Sequence, residues 1–334
     1  MNDKRVILEV KNLCKEYRIN RKQGLKAVND VSFEIYKGET FGIVGESGCG
    51  KTTCGKTCIG LLPKTSGQVL YKGVDIHQMT RRQYVEQTRN IQMIFQDPYT
   101  SLDPHLKVYD IIAEGIRIHK LAKTREEEKK QVTELMEAVK LPVSYLGRHV
   151  HELSGGQRQR IGIARALALK PEFLLCDEPI SALDVSVQAQ IINLMKKLQK
   201  ERNLTMLFIA HDLAMVRYIS DRIGVMYLGN LVEVGTADEV CFASGHPYSQ
   251  MLLAAVPEPN PHVKKQENAI RIKEEAGEKT DKREGCRFYE RCRYRMRKCQ
   301  EVMPQLEEIS PGHFVACLRK KEEESYGDNT AEKF

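Results

Sequence analysis

The stretch Gly45-Glu46-Ser47-Gly48-Cys49-Gly50-Lys51-Thr52 fits the pattern G-x-x-x-x-G-K-[ST] of a phosphate-binding loop. An apolar run, Phe41 to Val44, precedes it and reads as a buried strand. A helix-like run, Lys51 to Leu62, follows and stops before Pro63. Strand, glycine-rich loop and helix in that order are the context in which such a loop cradles nucleotide phosphates. Glycines let the loop curl until its N–H groups face inward. The helix N-terminus adds partial positive charge at the same place. Gly45, Glu46, Ser47, Gly48, Cys49 and Gly50, with Lys51, Thr52 and Thr53, are the candidate nucleotide-binding set. Lys51 is placed to reach the β- and γ-phosphates, and the Thr52 hydroxyl to ligate Mg²⁺.

Further strands bring polar residues to their ends. Phe173-Leu174-Leu175-Cys176-Asp177-Glu178 is an apolar run closing on two acids, a Walker B pattern. Asp177 is expected to hold the Mg²⁺ water shell and Glu178 to polarise the attacking water. Ile91 to Phe95 is another apolar strand, and Gln96 at its tip could hold Mg²⁺ or the attacking water. Met206 to Ala210 is one more, capped by His211. Ser154-Gly155-Gly156-Gln157 stands before a helical stretch, Arg158 to Leu169, and makes a second anion-binding helix start. Ser181-Ala182-Leu183-Asp184 precedes a helix over Gln188 to Leu198. Val6 to Asn12 and Val31 to Ile35 read as earlier strands. Tyr17, between them, could stack on a purine or be an ordinary surface tyrosine. Ile223 to Tyr227 and Leu231 to Val234 flank Gly229-Asn230, a hairpin signal.

Between these motifs, residues 105–150 read as helical, with Val132, Leu135, Met136 and Val139 on one apolar stripe and Arg125 to Lys130 as a solvated face. Buried strands alternating with helices indicate an α/β fold with nucleotide chemistry at the strand C-termini.

The chain has 334 residues, 41% hydrophobic and 29% charged, enough for a large core and two domains. No run approaches ~18 uninterrupted apolar residues, so none is expected to span a bilayer. No apolar core of the kind a signal peptide requires follows Met1-Asn2-Asp3-Lys4-Arg5, and a cytosolic location is expected. Ten cysteines there read as reduced thiols or metal ligands. A net charge of +7 permits contact with nucleic acid or anionic lipid without requiring either.

After Pro261 the composition shifts. Residues 262–285 are dominated by charge and read as a linker. Beyond it Cys286, Cys292, Cys299 and Cys317 are spaced C-x5-C-x6-C-x17-C. Four thiolates suit an iron–sulfur cluster or zinc, and four reduced thiols in a small core is the alternative. Arg287, Arg291, Arg293, Arg295, Arg297 and Lys298 interleave with Phe288, Tyr289 and Tyr294, a pattern that fits RNA or anionic headgroups.

The phosphate loop, Gln96, Leu153 to Gln157, Asp177-Glu178, Asp184 and His211, in this order, resemble the ATPase subunit of an ABC transporter over roughly residues 6–260. Phe95-Gln96-Asp97-Pro98, Ser101-Leu102-Asp103-Pro104, His246-Pro247-Tyr248 and Ala255-Val256-Pro257 are similar to the oligopeptide/dipeptide importer ATPases of bacteria and archaea. The resemblance implies a P-loop NTPase of the ABC type over 1–261, with a helical subdomain at about 97–165. A charged linker over 262–285 and a small cysteine-containing extension over 286–334 would follow.

The resemblance also implies ATP and Mg²⁺ as ligands. Thr52, Gln96 and Asp177 would serve the metal, Glu178 would be the general base, His211 would contact the γ-phosphate, and Tyr17 would stack on adenine. Ser154, Gly155, Gly156, Gln157 and Asp184 would meet a nucleotide held by a partner. The partners implied are a second ATPase subunit (a copy or a sibling chain), two transmembrane permease subunits docked near Gln96 and residues 97–165, and an extracytoplasmic substrate-binding protein. The chain would sit at the cytoplasmic face of the membrane.

Peptides are the cargo implied, with nickel or another small solute as the alternative. A soluble ABC ATPase acting on RNA or the ribosome is the competing class. The single phosphate loop and the lack of a long coiled-coil insertion argue against it, and nucleic acid is not an expected partner. In the same family the four tail cysteines can hold a [4Fe–4S] cluster. The family's proline after the second of them is absent here, and Arg293 takes its place. Cys49 stands where serine is frequent, which suggests some sensitivity to oxidation.

Overall fold

The computed structural model describes residues 5–18, 20, 24–255 and 284–319. Most of the charged linker, and Val256-Pro257 of one family motif, lie outside the described residues. The strands are β1 (Val6–Arg18), β2 (Gly24–Tyr36), β3 (Thr40–Val44), β4 (Ser66–Tyr71), β5 (Val74–Asp75) and β6 (Ile91–Ile94). They continue with β7 (Phe173–Asp177), β8 (Thr205–Ala210), β9 (Arg222–Tyr227), β10 (Asn230–Thr236), β11 (Glu307–Ser310) and β12 (His313–Val315).

The apolar runs become one sheet in the order β11-β12-β10-β9-β3-β8-β7-β6. The segment from β9 to β6 is parallel throughout. Strands buried on both faces read as continuous apolar runs, which is why the sequence shows them. Side chains alternate between two cores. Phe41, Ile43, Leu175, Leu207 and Ile209 join the core beneath the helix Lys51–Cys58 and the antiparallel sheet. Val44, Leu174, Cys176, Phe208 and Ala210 join the core shared with the helical region. That region holds the helices Val108–Ile118, Arg125–Ala138 and Gly155–Leu167, and the stripe Val132, Leu135, Met136 and Val139 is buried. Within Arg125 to Lys130 one residue departs from a solvated face. Glu128 is held by Arg117 (2.8 Å) and accepts from the Tyr109 hydroxyl.

Four details differ from the sequence reading. The opening strand runs on through Tyr17, because β1 pairs with β2 on one side and β4 on the other in a second, antiparallel sheet, β2-β1-β4-β5. The helix after the loop ends at Cys58, since Gly60 turns left-handed (φ 76°). The helix after Asp184 is longer than expected, Val185–Arg202, and closes on left-handed Asn203. The β9–β10 turn is Leu228-Gly229, both at positive φ, while Asn230 already belongs to the strand and bonds the Asn29 carbonyl (3.0 Å).

The largest difference is the extension. It joins the main sheet, with β12 pairing antiparallel to β10 at Glu233↔Val315 and Val234↔Phe314. Phe288 is buried among Tyr227, Tyr248 and His246. Glu233, fully buried, accepts bonds from the Gly245 N–H (2.7 Å) and the His246 N–H (3.0 Å) and pairs with His313 Nε2 (2.8 Å).

His246 gives this junction a pH dependence. Burial pushes its imidazole down to about 4, against a weaker opposing pull from Glu233. Its Nδ1 accepts the Tyr248 N–H (3.0 Å), which requires that nitrogen unprotonated. Below about 6.5 the unfolded chain takes up this proton and the folded chain does not, so stability falls with pH until about 4. The expected loss is about 3 kcal/mol across that window. His246→Asn, whose side-chain oxygen can accept the same N–H, should flatten the profile. Urea unfolding at several pH values checks it, and identical profiles for the two chains would discard the assignment.

Candidate nucleotide site

Parallel pairing places four strand ends along one edge of the sheet. Val44 aligns with Ala210 and Val225, Ile94 with Cys176, and Asp177 with Ile209. The phosphate loop, Gln96, Asp177-Glu178 and His211 therefore emerge together. Crevices outside the carboxyl ends of parallel strands are where such folds bind ligands. Gly48 and Gly50 hold positive φ (76° and 108°), and a Cβ on Gly50 would meet the Ala27 carbonyl at 2.0 Å. Only glycine serves there.

The loop is closed by its own lysine. Lys51 Nζ donates to the carbonyls of Gly45 (2.8 Å) and Glu46 (3.0 Å) and stands 3.8 Å from Glu178 Oε1. The Thr52 hydroxyl donates to Asp177 Oδ1 (2.7 Å), joining the two residues assigned to Mg²⁺. Gln96 Nε2 donates to Glu178 Oε2 (2.9 Å), and His211 Nδ1 lies 3.9 Å from the same oxygen. Glu178 itself is left-handed (φ 44°), uncommon for a residue with a Cβ, and its N–H is anchored on the Ile209 carbonyl (2.9 Å). That backbone turns the carboxylate toward Gln96, Lys51 and His211.

Other expected site residues are not brought to this cluster. Ser154 caps the helix Gly155–Leu167 in a reciprocal box with Gln157. Among the described residues no hydrogen bond or ion pair links Ser154, Gly155, Gly156 or Gln157 to the phosphate loop. Asp184 is exposed at the start of its helix and makes no capping bond. Tyr17 is exposed, with the Lys15 ammonium 5.0 Å from its ring centre. Ser47 is exposed in the loop and Thr53 half-buried in the first helical turn.

Cys49 is buried, and burial pushes its thiol up, so it is a poor thiolate and the expected sensitivity to oxidation finds no support. Cys54 and Cys58 are buried against the sheet. Cys286, Cys292, Cys299 and Cys317 all line one cavity of about 20 Å³. Yet among the described residues no group of three or more His, Cys, Asp or Glu side chains is arranged to hold a metal ion. Cys286 and Cys292 instead pack against the main core as small hydrophobes, and burial raises both thiols, Cys286 to about 11. The arrangement therefore lends the expected iron–sulfur or zinc set no support beyond the shared cavity.

Two contacts were not foreseen. Lys56, one turn beyond Thr52, reaches Asp177 Oδ2 (3.7 Å), and its i+4 spacing could have suggested it. Arg291 grips the Glu46 carboxylate across 245 positions of sequence, for which no local pattern exists.

Comparison with known proteins agrees with this geometry. A family profile described as "ABC transporter" matches residues 28–181, and one described as "Oligopeptide/dipeptide transporter, C-terminal region" matches residues 232–299. The oligopeptide transport ATP-binding protein OppF of Bacillus subtilis is 53% identical over 312 residues, spanning 93% of this chain and 96% of that one. The chain belongs to the oligopeptide/dipeptide family of ABC transporter ATP-binding subunits. Within this ABC ATPase family, AppF of Bacillus subtilis is 49% identical over 93% of this chain and 96% of that protein. Among solved structures, a dimeric post-hydrolysis state of the ATP-binding cassette MJ0796 with ADP and Pi is 28% identical with a TM-score of 0.64. It covers 69% of this chain and 98% of that one. CbiO1 of Clostridium perfringens, part of the cbiONQ transporter complex, is also 28% identical with a TM-score of 0.63, over 71% and 90% of the two chains. An ABC ATPase takes ATP with Mg²⁺, and the Thr52–Asp177 pair suits that metal in residue type and position. Among the described residues no helix is long and apolar enough to cross a membrane.

Proposed function

We infer that this chain is the ATP-hydrolysing subunit that energises import of peptides through a membrane transporter, working at the cytoplasmic face. The observation that carries the reading is the gathering of six residues at one sheet edge, with Thr52 bonded to Asp177 and with Lys51, Gln96 and His211 around Glu178. Peptides are favoured over nickel or RNA because the matched relatives are named for oligopeptides, and the second profile for oligopeptides and dipeptides. Lys51 and the loop bind phosphates, Thr52, Asp177 and Gln96 serve Mg²⁺, Glu178 activates water and His211 senses the γ-phosphate. Tyr17 stacks on adenine.

Pairing of two ATPases is supported by the signature helix start and Asp184, neither of which, among the described residues, bonds to the phosphate loop of its own chain, and by Val185 beside Asp184, 75% exposed. One chain's Ser154 to Gln157 would close over its partner's nucleotide. Exposed Phe95, Tyr99 and Leu106, flanking or following Gln96 in the sequence, support docking of two permease subunits there. A binding protein outside the membrane would deliver cargo. A four-cysteine cluster rests on residue type and a shared cavity alone.

Gentle co-purification from native membranes under anaerobic conditions tests this. Two multi-span proteins and a second ATPase are expected by mass spectrometry. Ribosomes or repair factors without any membrane protein would replace the importer with the RNA-directed class.

A further inference from the structure

Glu46 is held at each of its polar groups. Its carbonyl accepts the Lys51 ammonium (3.0 Å), its N–H donates to the Tyr248 hydroxyl (2.9 Å), and its carboxylate takes both Arg291 terminal nitrogens (2.8 and 2.7 Å). Tyr248 and Arg291 both lie beyond the sequence that builds the nucleotide site. Arg291 comes from the extension, and its side chain is only 10% exposed. Its guanidinium carbon stands 5.7 Å and 5.8 Å from the ring centres of Tyr227 and Phe288, and one nitrogen also reaches the Met251 sulfur (3.6 Å). Tyr227, Tyr248 and Phe288 pack on one another, with ring centres 4.6–5.5 Å apart. The arginine is thus fixed by an aromatic cluster before it touches the loop. A two-pronged guanidinium–carboxylate contact sets orientation as well as distance.

We propose that Arg291 is a positioning residue for the phosphate loop, by which the C-terminal extension sets the ATP affinity of the site. The proposal rests on the nucleotide-site reading above and deepens it. Glu46 carries one of the two carbonyls that hold Lys51, so a loosened Glu46 lets the lysine and the loop N–H groups drift from the shape that fits phosphates. The contact acts before hydrolysis, on binding. It touches neither Glu178 nor the water-activating end of the cluster. Arg291 directly precedes Cys292, whose residue lines the small tail cavity, so any change of packing there reaches the loop through one side chain.

The test is a binding cycle on the full-length chain with Mg²⁺ and a non-hydrolysable ATP analogue, read by calorimetry. Arg291→Ala is expected to weaken binding about tenfold, and Arg291→Lys less, because an ammonium makes a point contact where the guanidinium makes a fork. Glu46→Ala combined with Arg291→Ala is expected to be no weaker than the worse single variant, as for two residues acting through one contact. In the assembled transporter KM for ATP should rise by a larger factor than kcat falls. Should Arg291→Ala fail to fold, Arg291→Gln carries the same comparison. Unchanged affinity in a folded variant, or losses that simply add in the double variant, overturns the proposal. A parent chain that does not bind the analogue would overturn the nucleotide-site reading itself, so the two failures are told apart.

Discussion

Replacing Glu178 by Gln is expected to lower the ATP turnover of the assembled transporter at least about 100-fold while ATP still binds. The amide keeps the size of the acid and can still accept the Gln96 N–H that now rests on Oε2 at 2.9 Å. What it loses is the capacity to take a proton from water, and the charge that faces Lys51 at 3.8 Å. The phosphate contacts assigned to the loop do not pass through Glu178, so affinity should stay within about threefold. Phosphate release and analogue binding, measured on the same preparation, separate the two effects. Turnover within about tenfold of the parent would remove Glu178 as the base and point to water activation elsewhere.

The second large effect is on stability. Glu233→Ala is expected to cost about 3–5 kcal/mol, because it strands partners in a dry place. The Gly245 and His246 N–H groups lose their acceptor, and His313, almost fully buried on β12, loses the carboxylate it pairs with. Glu233→Gln keeps an acceptor oxygen and should cost clearly less. His313→Ala, which leaves the carboxylate two N–H donors, should also fall between. Urea unfolding gives the magnitudes, and proteolysis within residues 284–319 tells whether the extension comes away first. An Ala variant as stable as the parent would mean that β12 is held by its backbone pairing alone.

The edge where these polar residues gather is legible in the sequence because they sit at the ends of buried parallel strands. Such strands announce themselves as apolar runs, and the residue after each run is where a polar group stands out. Asp177, Gln96 and His211 were found that way. The antiparallel sheet was only half visible. Val6 to Asn12 showed, but the extension of β1 to Arg18 depends on pairing with β2 and with β4, some fifty positions away, which no local pattern encodes. In the sequence the extension reads as a separate unit, since a three-residue strand such as His313–Val315 carries no periodicity. Its four cysteines suggest a metal set by residue type alone, and two of them also pack against the core, a contact that spacing does not reveal. Arg291 was noticed only as one of several basic residues. Which of them is buried against the loop is a property of the tertiary fold.

The place of β11 and β12 in the sheet order also bears on solubility. Without them β10, buried from Asn230 to Gly235, would lie at the rim of the sheet with a row of backbone N–H and C=O groups open to any passing strand. With them the rim is a four-residue strand that begins with two exposed acids, Glu307 and Glu308, and such charge discourages strand-to-strand stacking between molecules. The extension thus serves as a terminator for the sheet, and the catalytic part is not a piece that can be cut free at the linker without baring a surface prone to aggregate.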